Sequence, residues 1–69
     1  MVIVYHPGYY PGSTSPVADD VVGILDGPAS TCESLSRDFA KEVGYHEVAR
    51  FGSRDEADVY IRRNGLRVL

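Results

Sequence analysis

The sequence has a single cysteine, Cys32, no tryptophan, and no lysine or arginine among its first 36 residues. One cysteine excludes an intramolecular disulfide, the usual staple of small secreted domains, and favours a reducing compartment. Long hydrophobic runs are also missing. Met1 to Tyr5 is apolar over only five residues with no basic residue before it, so it is neither a signal peptide nor a membrane span. These absences lead us to expect a cytoplasmic protein, in the host cytoplasm if phage-encoded, with no membrane partner. A Met at the start and a strand reaching the last residue suggest a complete gene product.

What remains is an ordinary globular composition, 43% hydrophobic and 25% charged over 69 residues. That length suits one domain spanning 1–69, burying roughly 60% of the surface its unfolded chain exposes. The net charge of −3 is unevenly spread. Residues 1–36 carry Asp19, Asp20, Asp26 and Glu33 with no base, whereas all seven basic residues lie in 37–69 against six acids. Non-specific nucleic-acid binding needs a strongly basic face. An acidic patch facing a basic surface on a partner fits this balance better.

Val2-Ile3-Val4-Tyr5 reads as a buried strand. A Tyr/Pro/Gly-rich loop follows over 6–16, where Pro7, Pro11 and Pro16 forbid regular pairing. Residues 17–25 fit a short helix capped by Asp19 or Asp20, the assignment we favour, or a strand closed by Asp26-Gly27. Ser30 and Glu33 have capping-box spacing, and Leu35, Phe39 and Val43 recur at intervals of four, predicting a helix over 31–43 ended by Gly44. Glu47 to Phe51 is a strand, and Ser53 with Glu56 opens a second helix with Ala57, Tyr60 and Ile61 on its apolar face. Asn64-Gly65 stops it, and Leu66 to Leu69 forms a last strand. The expected fold is α/β, with α+β as the variant: a small three-stranded sheet, two main helices packed on one face, and a C-terminal strand-helix-strand unit.

Catalytic constellations are weak. Cys32 opens a helix, where the dipole favours a thiolate, and His46 or His6 would be its base. It also adjoins the apolar stripe, which makes it a buried, inert thiol. His6 and His46 lie forty residues apart, outside any paired-ligand spacing, so we expect no metal site. Gly8, Gly12, Gly23 and Gly27 match neither a dinucleotide fingerprint nor a phosphate loop, and no cofactor is implied. Asp19, Asp20 and Asp26 lack the pattern of a calcium loop.

The most distinctive segment runs from Tyr5 to Pro11, with three tyrosines and two prolines in seven residues. Tyrosine supplies large contact area at low entropic cost, and proline limits the entropy lost on docking. The same rings also serve as a lid over a small core. We therefore expect a non-catalytic protein that occludes a protein or nucleoprotein with a basic surface, through Tyr9, Tyr10, Asp19, Asp20 and Asp26. Phage and mobile-element inhibitors of the anti-restriction and anti-CRISPR kind act in this way, an analogy of class alone. The alternative is a nucleic-acid-binding or regulatory module using Arg50, Arg54, Arg62, Arg63 and Arg67, although Arg54, Asp58 and Arg62 have the spacing to neutralise one another on a helix. An open sheet edge also suits homodimerisation.

Overall fold

Val2, Ile3 and Val4 are all essentially inaccessible to solvent, so the first strand is covered on both faces. The computed structural model, which describes residues 1–69, shows how. Its elements are β1 (Val2–His6), β2 (Val21–Asp26), α1 (Ala29–Phe39), β3 (His46–Phe51), α2 (Arg54–Arg63) and β4 (Arg67–Val68). They form one four-stranded sheet in the order β3-β1-β2-β4. β1 runs antiparallel to β2 and β3, and β4 runs parallel to β2. The class is the expected mixture of sheet and two helices, with four strands where three were expected. No helix is long and apolar enough to cross a membrane.

The extra strand, β2, overlaps residues 17–25, the segment expected to be a short helix. Val21, Val22 and Ile24 are β-branched; β2 pairs with β1 in the register Ile3 to Leu25, Val4 to Ile24 and Tyr5 to Gly23, while Val21 and Val22 pair with Arg67 and Val68 of β4. An interior strand needs partners on both edges, and that tertiary requirement outweighs a local helical option. Gly23 serves the pairing sterically: a Cβ there would overlap the Tyr5 ring.

The helices do not share a face. Val2, Val4 and Val22 pack with Ala57 and Ile61 of α2, flanked by Ile24, Val48, Phe51 and Leu66. On the other face the Tyr5 ring meets Phe39 of α1, and Arg50, paired across from Ile3, reaches Glu33 of α1. Topology supplies the reason. The β2-α1-β3 and β3-α2-β4 crossovers both join strands of one direction, but they step across the sheet in opposite senses. Crossovers of the favoured right hand then put their helices on opposite faces.

α1 also departs from its expected register. It starts after Pro28 with no side-chain cap; Ser30 lies inside the first turn and Glu33 pairs with Arg50. It ends at Phe39, and Gly44, at φ +83°, closes a separate turn over residues 40–44. Val43 is consequently off the helix and 76% exposed, and Leu35 is 38% exposed. The buried positions are Cys32 and Ser36, four apart and therefore on one side of the helix.

α2 follows the sequence closely. The Ser53 hydroxyl accepts from the Glu56 amide at 3.3 Å, capping the N-terminus. At the other end Leu66 N–H donates to Ile61 C=O at 3.0 Å and Gly65 N–H to Arg62 C=O at 3.3 Å, the paired bonds of a Schellman stop. Arg54 and Asp58 form the expected ion pair at 3.0 Å. β4 then docks on β2 through Arg67 N–H to Asp20 C=O and Leu69 N–H to Val22 C=O, at 2.7 and 2.8 Å.

Candidate functional site

The Tyr-rich segment between β1 and β2 is tied down at both ends by one side chain. Gly8 N–H donates to His6 Nδ1 at 3.1 Å, and an amide can only donate, so Nδ1 carries no proton. The proton sits on Nε2, which donates to the Ala18 carbonyl at 3.1 Å. The buried imidazole also stacks on His46, with ring centroids 5.2 Å apart. Within the loop, Val17 N–H bonds Gly8 C=O at 2.9 Å, Tyr10 N–H bonds Ser15 C=O at 3.2 Å, and Tyr9 bridges Pro16.

Backbone contact fixes where this loop lies. Gly8 has φ +82°, and a Cβ there would sit 2.5 Å from the Val43 carbonyl oxygen and 2.8 Å from Gly44 Cα. Two glycines thus let the loop press on the α1–β3 turn with no side chain between them. The contact brings Tyr9 and Tyr10 beside a cluster on the α1 face. There Tyr5 lies 5.7 Å from Phe39 and 5.4 Å from Tyr45, and Tyr45 Oη is 2.9 Å from Ser36 Oγ.

Between loop and cluster runs an open groove of about 900 Å³. Tyr5, Tyr45 and Phe39 form one part of its lining, the exposed Tyr9 and Tyr10 another, and Glu42 is the sole charged residue lining it. Burial, with the neighbouring Tyr45 hydroxyl second, pushes the Tyr5 phenol above its ordinary pKa of 10. The lining thus offers π faces, neutral hydroxyls and one carboxylate, a chemistry for stacking and for attracting cations.

The other expected site residues are dispersed. Asp20 makes a two-pronged pair with Arg67, at 2.9 and 3.1 Å, whose hydrogen bonds hold the carboxyl below its usual range and raise the guanidinium. Asp19 is exposed next to this pair, whereas Asp26 lies at the opposite end of the six-residue β2, about 20 Å along the strand. The three aspartates therefore do not converge on one patch.

The arginines are scattered as well. Arg50 bonds Glu33 and Glu47 at 3.1 and 2.8 Å, which raises its pKa, and Arg54 bonds Asp58. Arg62 and Arg63, exposed at the end of α2, have no carboxylate within 4.0 Å. Cys32 is 2% exposed, and its thiol faces the Met1 and Gly27 carbonyls at 3.5 and 3.6 Å. His6 and His46 pair at the far end of β1, so the Cys–His couple is not assembled.

The sequence singles out Tyr9 and Tyr10 but not Phe39, Glu42 and Tyr45, which line the groove with them. The available signal was a glycine next to an aromatic in both Gly8-Tyr9 and Gly44-Tyr45. Fold and groove together define a small mixed-sheet protein with an aromatic cleft at one end. No protein-family model, curated protein or solved structure matches the chain.

Proposed function

We propose that this protein is a non-catalytic binding module that occludes a macromolecular partner through its acidic, tyrosine-rich surface, in the manner of phage or mobile-element anti-defence inhibitors. The observation that supports it is the groove: five aromatic rings and one carboxylate with no cation among its lining residues. Tyr9 and Tyr10 form its outer contacts, with Asp19 and the Asp20–Arg67 pair at the base of their loop. Asp26 falls outside this surface. The single cysteine fits work in a reducing cytoplasm.

Affinity capture from a lysate of the source cell, comparing the wild-type protein with Tyr9→Ala/Tyr10→Ala at low and high salt, tests this reading. A stoichiometric protein partner that is weakened by salt and lost with the double variant is expected. Undiminished capture by the variant would refute the reading. The competing nucleic-acid reading draws on exposed, unpaired Arg62 and Arg63. It predicts recovery of nucleic acid that disappears in Arg62→Ala/Arg63→Ala. A homodimer would form along the outer edge of β3, and sedimentation over a range of concentrations tests that pairing.

A further inference from the structure

We infer that the aromatic groove seats an arginine-bearing, extended segment of a protein partner, an inference that rests on the binding reading above and names the chemistry it would recognise. Three observations carry it. First, no Lys or Arg lines the groove, whereas Glu42 does, and Arg67 of β4 is neutralised by Asp20. The site's own charge therefore complements a cation.

Second, the rings are arranged in two sets. Tyr5, Phe39 and Tyr45 lie with centroids 5.4 to 6.1 Å apart and brace one another. Tyr9 and Tyr10, 41% and 44% exposed, line the same groove from the loop that follows β1. A planar guanidinium stacks on such faces while bonding a carboxylate through two N–H groups. An ammonium does neither as well, being compact and strongly hydrated.

Third, about 900 Å³ of open groove is far more than one guanidinium fills, so neighbouring residues of an extended chain share the site. Nucleobases would also stack on tyrosine. Their phosphates, however, would meet a carboxylate in a chain of net charge −3, where strand-binding grooves supply cations.

The protein carries its own reporter for the test. It has no tryptophan, and four of its five tyrosines line the groove. Tyrosine emission is titrated with a twelve-residue peptide of alternating Arg and Gly, and with the matching Lys-Gly and Glu-Gly peptides. Saturable binding is expected in the order Arg over Lys, with none for Glu. Glu42→Gln should weaken the Arg peptide about two- to fivefold, as should Tyr10→Ala, the range set by partly exposed cation–π contacts. Both positions are on the surface, and circular dichroism confirms that each variant is folded.

Equal binding of the Glu peptide, or no binding of the Arg peptide at millimolar concentration, overturns the assignment. Tighter binding of a thymidine dodecamer overturns it in favour of nucleic acid. Emission that shifts with protein concentration alone overturns it in favour of a second copy. If the Arg peptide fails while Tyr9→Ala/Tyr10→Ala still abolishes partner capture, the binding reading stands and only the arginine assignment falls.

Discussion

Alanine at position 23 would place a methyl group where the Tyr5 ring already lies. The ring borders the open groove but is braced by Phe39 and Tyr45 at 5.7 and 5.4 Å, so it yields only by giving up those contacts. Forcing extra atoms into a packed site costs about 1–3 kcal/mol. Against that, alanine in a strand is better than glycine by about 0.5–1 kcal/mol. Gly23→Ala should thus destabilise by about 1–2 kcal/mol net, a sizeable part of the roughly 3–10 kcal/mol expected for a chain of this length. With a urea slope of about 1 kcal/mol/M, the midpoint falls by about 1–2 M. Tyr5→Leu gives the control. It removes the ring, so in that background Gly23→Ala should be neutral or stabilising. Urea unfolding followed by far-ultraviolet circular dichroism on the four proteins yields a coupling of about 1–3 kcal/mol. An equal cost of Gly23→Ala in both backgrounds would place the penalty in the backbone and refute the steric argument.

Other outcomes can be stated more briefly. His6→Ala strips the Gly8 amide and the Ala18 carbonyl of their partner, at about 1–3 kcal/mol for each group left unsatisfied. Hydrogen exchange should show residues 7–20 losing protection before α2 does. Ser53→Ala removes the α2 cap and should cost about 1 kcal/mol by thermal unfolding, whereas Ser30→Ala, which caps nothing, should cost far less. The folded state favours the neutral Tyr5 phenol, so its contribution is complete below the unfolded value near pH 10 and is lost as pH rises through the raised folded value. Tyr5→Phe should therefore flatten part of the decline in urea midpoint above about pH 10.

How far each element could be read from the chain depended on the range of the interactions that set it. α2 was legible because its cap, its ion pair and its Schellman stop all lie within a few residues of one another. β1 was legible as an unbroken β-branched run, and that run also carried a signal for burial on both faces that a one-face packing overlooked. Residues 17–25 were not legible. Their apolar positions serve a helix or a strand equally, and only pairing with β1 separates the two. The Leu35–Phe39–Val43 stripe misled because Val43 belongs to the turn beyond the helix, so a period of four spanned two different backbone shapes.

The sequence by itself determined the mixed class, the two helices and the Tyr-rich loop after β1, since composition and local spacing carry those facts. Tertiary structure alone decided the opposite placement of the helices, because it follows from strand order. It also decided the pairing that compensates the charges of the exposed Asp20, Arg50 and Arg67, through partners 17 and 47 residues away in two of the bonds. The groove belongs to the same category. Phe39 and Tyr45 lie some thirty residues beyond Tyr9 and Tyr10 in the chain and meet them because Gly8 and Gly44, lacking side chains, let their backbones touch.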